Sequence, residues 1–183
     1  PSGYSAGDDA VTVGAYWSGD AGNDTVAGGG GQDTIDGGTG NDKIQGGYGG
    51  DLLTGGAGND TFIIDASDES YVAGDGTSLG SKADTITDFS ASDDRFQLDY
   101  TPAQVLSIQA GFTVNWQSTV DAAFAASSTT LLSDQVAIMQ VTGNNAGTYL
   151  LFQGNGTNGW DASQDGIVRL TNPTGQITTF NFV

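Results

Sequence analysis

Aspartate recurs every nine residues through the first third of this chain, at Asp24, Asp33, Asp42, Asp51 and Asp60, and no other reactive group is so regularly spaced. Carboxylates can serve acid–base catalysis or ligate cations. A glycosidase-type pair needs two acids roughly 5 to 9.5 Å apart in a cleft with one of them kept protonated, and the acids outside the repeat form no such motif. The chain has no histidine and no cysteine, which excludes a serine–histidine–aspartate triad, a thiol nucleophile, an imidazole or thiolate zinc site and a disulfide. What remains is oxygen ligation, which suits calcium, magnesium or manganese. Calcium is the first expectation, and the chain is not expected to be an enzyme.

The element that must position these acids is a repeat. From Gly19 the chain reads GDAGNDTVA, GGGGQDTID, GGTGNDKIQ, GGYGGDLLT and GGAGNDTFI, five copies in unbroken register ending at Ile63. The sixth position is always Asp and the eighth always apolar: Val26, Ile35, Ile44, Leu53 and Phe62. Sixteen of the 30 glycines fall in these copies, fourteen of them at the first position (Gly19, Gly28, Gly37, Gly46, Gly55), the second, and the fourth (Gly22, Gly31, Gly40, Gly49, Gly58). Asp20 is the one departure among these glycine positions. A looser copy precedes the five, with Gly7, Asp9 and Val11 at the fourth, sixth and eighth spacings and an interruption from Val13 to Ser18.

Glycines at these places allow a tight turn with positive φ and close backbone approach, after which three residues with an apolar centre make a very short strand. Two units return the chain to its starting side, so successive coils stack about 4.8 Å apart as parallel strands. Val26, Ile44 and Phe62 then point inward from one sheet, and Ile35 and Leu53 from the other. Asp24, Asp42 and Asp60 line one edge, Asp33 and Asp51 the opposite one. Like charges stacked so closely repel. A dication between adjacent turns, held by carboxylates and by carbonyls of the glycine turns, removes that repulsion.

The repeat matches GGxGxDxUx, and the chain is identified on it as resembling the RTX (repeats-in-toxin) family of calcium-binding nonapeptide proteins. The resemblance implies a parallel β-roll with calcium between turns one coil apart, export through type I secretion machinery, and an uncleaved carboxy-terminal secretion signal. Three to six calcium ions are expected: three from the stacked pairs of regular turns and the rest from the irregular ends. Five inward apolar side chains cannot offset the ordering entropy of so glycine-rich a segment, so the roll is expected to fold only with metal.

Beyond Ile63 the run ADTITDFSASDDRFQLDY resembles the closing element of such rolls, through Asp84, Ile86, Asp88, Phe89, Asp94 and Phe96. Ile64, Ile86, Phe89, Phe96 and Leu98 are expected to cover the open end, where unpaired strand edges would otherwise face water. Asp68, Asp84 and Asp88 are either additional ligands or solvated and turn-capping carboxylates.

The fold class is thus mainly β, with a calcium-binding β-roll and its cap over 1–99 and a small mostly β (α+β) domain over 100–183. In the second part Thr101–Gln104 and Ser118–Asp121 have the form of capping boxes, the latter opening a helix to Ala126. Strands are expected at Phe112–Trp116, Gln135–Thr142, Thr148–Gln153, Gly166–Thr171 and Gln176–Val183, with hairpin turns at Asn144–Gly147 and Asn172–Gly175. The closing run ITTFNFV is either the secretion signal or an edge strand. Residues 153–165 are read either as a polar hairpin loop or, on a faint EF-hand-like pattern that lacks Asp first and Glu twelfth, as a further metal-binding loop. Trp17, Trp116 and Trp160 offer a sugar platform or, more simply, packing.

Twenty-two acidic against four basic side chains leave a net charge of −18, which disfavours nucleic acid and anionic membranes. No apolar run is long enough for membrane insertion. The amino terminus has neither an initiator Met nor a signal-peptide pattern and reads as a piece of a longer chain. The function expected is a calcium-binding structural and secretion module, extracellular or at the bacterial cell surface. Its setting is a surface-layer protein or adhesin that self-associates or meets a cell-surface component, or alternatively the exported tail of an enzyme or toxin.

Overall fold

A computed structural model describes residues 4–5, 14–64, 83–111, 116–127, 131–143, 145–153 and 165–183. The nonapeptides form short strands that alternate between two parallel sheets. Strands β1 (Tyr4–Ser5), β3 (Thr25–Gly30), β5 (Lys43–Tyr48), β7 (Thr61–Ile63) and β9 (Arg95–Gln97) make one sheet in that order. Strands β2 (Tyr16–Ser18), β4 (Thr34–Asp36), β6 (Leu52–Thr54) and β8 (Thr85–Ile86) run along the other. Every pairing among these nine is parallel. The register repeats the sequence period: Val26 pairs with Ile44, Ile44 with Phe62 and Phe62 with Phe96. On the other sheet Trp17 pairs with Ile35, Ile35 with Leu53 and Leu53 with Ile86.

The segment expected as a cap is therefore a further coil. Ile86 and Phe96 prolong the two inward stacks, while Ile64, Phe89 and Leu98 are buried beside them. At the other end, Tyr4 pairs with Val26 and Trp17 with Ile35, so 4–5 and 16–18 supply the coil before the regular repeats. Gly7, Asp9 and Val11, assigned to a looser copy, lie outside the described residues, as do Asp68, Trp160 and most of the loop 153–165.

Hydrogen bonding runs on past residue 99. Strand β13 (Gly166–Leu170) pairs parallel with β8, and β12 (Gly147–Phe152) and β11 (Gln135–Thr142) follow antiparallel. β10 (Gln104–Gly111) closes this eight-stranded sheet parallel to β11, and a parallel pair needs a crossover, here carrying the helix Trp116–Ser127. Alternation along β11, β12 and β13 serves two cores. Val136, Leu150, Phe152, Val168 and Leu170 join the roll's interior, whereas Met139, Tyr149, Leu151 and Ile167 pack with Val120 and Phe124 of the helix. Burial on both faces explains the near-continuous apolar runs of these strands.

Four expectations are corrected. Thr101–Gln104 leads into strand β10, not a helix: Gln104–Gly111 forms a parallel ladder with Gln135–Thr142 of β11, and those long-range bonds outweigh a local capping pattern. Residues 112–115 of the expected strand Phe112–Trp116 lie outside the described residues, but Trp116 begins the helix, two residues before the Ser118 box. Gln176–Val183 is not a strand. It holds a 3₁₀ turn, Thr179–Asn181, and a single bridge from Phe182 to Phe96. Asn181 is buried there, its Nδ2 donating to the carbonyls of Ala91 and Asp94 at 2.8 and 3.1 Å. The Asn172–Gly175 turn, with Asn172 at φ 52° and Gly175 at 77°, docks on the roll through Ser90 and Thr174 and joins no hairpin. Trp17 packs against the core, the bland reading of that residue.

Phe96 sits where roll and carboxy-terminal segment meet. Its ring stacks on Phe89 at 4.1 Å and on Phe182 at 5.3 Å. Phe96→Ala leaves a void bordered by both, and unfolding in denaturant with calcium present is expected to register a loss of about 3–5 kcal/mol.

Candidate metal centre

The two rows of sixth-position carboxylates are built by the stacking itself. On one edge the backbone N–H of Asp24 donates to Asp42 Oδ1 (2.8 Å), that of Asp42 to Asp60 Oδ1 (2.9 Å) and that of Asp60 to Asp94 Oδ1 (3.0 Å). On the other the N–H of Ala15 donates to Asp33 Oδ1, that of Asp33 to Asp51 Oδ1 and that of Asp51 to Asp84 Oδ1, all at 2.7 Å. Asp33, Asp42, Asp51, Asp60, Asp84 and Asp94 thus each spend one oxygen on fixing the preceding coil. All of these aspartates are at most 5% exposed. The second oxygens of Asp24, Asp33, Asp42 and Asp60 are buried without a hydrogen-bond partner. Leaving a buried charged oxygen unmatched is costly, so these atoms mark places for a cation.

The glycines divide by role. At the second and fourth positions the backbone takes positive φ, for example 96° at Gly38 and 136° at Gly40, and a side chain at either would strike a carbonyl of the preceding coil. Gly22, Gly31, Gly49 and Gly58 share the fourth-position conformation. Asp20 keeps the second-position conformation at φ 65°, which Asp tolerates better than most residues, so the first turn is intact. First-position glycines need no such φ. A Cβ on Gly37 would lie 2.6 Å from both Asp42 Oδ2 and the carbonyl oxygen of Gly55, and one on Gly28 2.6 Å from Asp33 Oδ2 and 2.5 Å from the carbonyl of Gly46. Gly19 meets Asp24 Oδ2 and the Gly37 carbonyl in the same way, and Gly55 meets Asp60 Oδ2. Glycine here keeps open a cradle of carboxylate and carbonyl oxygens. Among the described residues no three acids converge on one point, so a cation would draw part of its six to eight oxygens from the backbone.

Sequence reasoning missed how the rows end. Asp94 extends the Asp24 row, and its spacing to Phe96 copies that of Asp60 to Phe62. Its second oxygen accepts the N–H of Ser90 at 2.8 Å, so backbone serves where the other acids of that row have none. Asp88, expected among possible ligands, stands outside both rows and caps a turn, accepting the N–H groups of Gly55 (3.0 Å) and Gly56 (2.8 Å). Asp84 does stand in a row. That row runs from Ala15, which has no carboxylate, to Val168, which the pairing of β13 with β8 brings beside Asp84.

Burial pushes the carboxyl of Asp60 up from 3.8 to about 6, and raises Asp42 and Asp94 as well, with neighbouring acids adding to each. A carboxyl whose folded pKa is raised favours the protonated folded state. Its contribution is complete below the unfolded value and is lost as pH rises through the folded one. The metal-free roll is thus expected to gain strand structure on acidification from about pH 7 to about pH 5, read by circular dichroism in chelator. A flat response would show that these acids do not oppose folding.

Fold and site together define a parallel β-roll whose turns set buried carboxylates beside glycine carbonyls. Residues 18–44 and 36–66 match the RTX calcium-binding nonapeptide repeat, and this segment belongs to that family: the roll is an RTX calcium-binding repeat module. The fold is similar to the solution structure of the AlgE6R3 subunit of the Azotobacter vinelandii mannuronan C5-epimerase (TM-score 0.51, 24% identity over 97% of this chain and 82% of that one). The AlgE6R2 subunit of the same enzyme gives 0.49 and 21%, covering 97% and 94%. Comparison with curated proteins gives no match.

Proposed function

We propose that the module is a calcium-gated folding unit of an exported protein, with Asp24, Asp33, Asp42, Asp51, Asp60 and Asp84 as carboxylate ligands and the first-position glycine carbonyls beside them. The buried, unpartnered Oδ2 atoms of Asp24, Asp33, Asp42 and Asp60, each set against the first-position glycine of its own repeat, carry this reading. Calcium supplies positive charge between carboxylates that otherwise repel; the chain contributes the register that holds them. Stacked neighbours Asp24/Asp42, Asp42/Asp60, Asp33/Asp51 and Asp51/Asp84 give four sites. Asp94 adds none, since Ser90 already serves its second oxygen. In a bacterial cytosol poor in calcium the chain stays unfolded and exportable, and millimolar calcium outside suits the weak affinities of extracellular sites. The protein is then extracellular, passed through type I secretion machinery, as part of a surface-layer or adhesin protein. The name of the structurally similar subunit, part of an epimerase, supports the alternative setting, the tail of an enzyme.

Calorimetric titration with an independent count of retained ions tests the assignment. About four calcium ions are expected, with magnesium a poor substitute because it demands a smaller, stricter octahedron. Fewer than two ions, or equal binding of magnesium, would refute it.

A further inference from the structure

The two sheets of the molecule are unequal. One has five strands and the other eight, so the longer sheet runs three strands past its partner. Its inner face sends Val136, Leu150 and Phe152 into the roll's core, but Val105 of β10 and Ile138 of β11, on the same face, are only half-buried. Where cover runs out, an open groove of about 340 Å³ lies between this face and residues 173–177. Val105, Ile138, Pro173 and Ile177 line it together with hydroxyl and amide groups such as those of Ser107 and Gln140, and no charged side chain takes part. An apolar cavity of about 150 Å³ is enough for a benzene ring, so this groove has room for an aromatic side chain.

Such a side chain stands close by. Phe180 is 85% exposed, more than any other large apolar residue among the described residues. The chain around it is fixed: Asn181 is buried and bonded to the carbonyls of Ala91 and Asp94, and Phe182 is buried against Phe96. Phenylalanine lacks the polar tip that suits tyrosine to water. Three residues of chain separate Phe180 from Ile177 in the groove wall, a reach of at most about 11 Å. A projecting ring and an apolar hollow therefore share one surface.

Charge favours a like partner at this place. The chain carries a net charge of −18, yet 100–120, 135–160 and 170–183, which supply every residue of the groove, contain no Asp, Glu, Lys or Arg. Two copies repel each other across the acidic roll and meet least repulsion here. A knob beside a hole is self-complementary, because a twofold axis between them seats each ring in the other copy. Two rings burying roughly 150–250 Å² each make a contact at the low end of specific interfaces, below about 1,200 Å², which is weak and reversible. We propose that the chain forms a twofold dimer in which Phe180 of each copy enters the Val105–Ile138–Ile177 groove of the other.

Sedimentation velocity of the whole chain in saturating calcium tests this. Wild type should pass from monomer to dimer as its concentration rises through the micromolar range. Phe180→Ser and Ser107→Glu, both at exposed positions, should keep the wild-type circular dichroism and raise the dissociation constant about tenfold or more. An equimolar mixture of the two variants should regain association, since it retains one ring and one open groove. Tyr16→Ser, at an exposed aromatic on the opposite edge of the eight-stranded sheet, should dimerise as wild type does. A wild type that stays monomeric overturns the proposal whatever the variants do, and leaves the groove to a partner of other chemistry. Unchanged dimerisation of Phe180→Ser overturns it as well, as does a mixture no more associated than its components. An equal loss in Tyr16→Ser would show unspecific adhesion and overturn it too.

Discussion

In excess chelator the strand signal of the roll is expected to leave the far-ultraviolet circular dichroism spectrum and to return cooperatively when calcium is restored. Two features of the coil demand this. Each nonapeptide buries one large apolar side chain, such as Ile44 or Phe62, while ordering nine residues rich in glycine, which loses more freedom on folding than any other residue. The same coil also buries one carboxylate per repeat, and the rows stack these acids in adjacent turns. Without a dication, entropy and repulsion both oppose the fold. Strands β10–β13 and the helix share a core of their own, with Met139, Tyr149 and Phe124, and are expected to keep part of their signal. A chain equally ordered with and without calcium would overturn the gating.

The second expected result is a contrast between two substitutions that remove the same charge. Asp42 occupies the middle of its row: its N–H donates to Asp60, its Oδ1 accepts from Asp24, and its Oδ2 faces the Gly37 cradle. Asp42→Ala therefore disables the sites on both sides, and should lower the ion count by two and raise the calcium midpoint for folding by roughly tenfold or more, about 1.4 kcal/mol or above. Asp36, in the ninth position, lies half-buried on β4 outside both rows, close enough to Asp42 to raise its carboxyl by repulsion. Asp36→Ala should leave the midpoint unchanged or move it slightly lower by relieving that repulsion. Titrations of both variants at one ionic strength decide the matter. Equal shifts would mean that the acids act as a diffuse counterion cloud, and the ligand assignment would fall.

The contrast shows where the information lies. A nine-residue period with Asp sixth and an apolar residue eighth determines by itself the coil, the two inward stacks and the two acid rows. Each of these arises from short-range geometry repeated without interruption: Val26, Ile44 and Phe62 stack because identical turns return them to the same place. Once the period breaks, that reasoning has no purchase. Asp84 enters a row, Asp88 caps Gly55 and Gly56, and Asp94 closes on Ser90; the spacing to Ile86 and Phe96 sets Asp84 and Asp94 apart from Asp88, but not which row each joins or what its oxygens meet. Their roles were decided by which coil each packed against after the chain had spanned residues 65–82. In the same way Thr101–Gln104 carries a helix-capping pattern but leads into strand β10, because its partner β11 lies some thirty residues away and supplies a ladder no local bond can match. Tertiary structure alone joined the repeats to the carboxy-terminal strands, since the pairing of β13 with β8 is a contact between segments whose sequences bear no periodic relation.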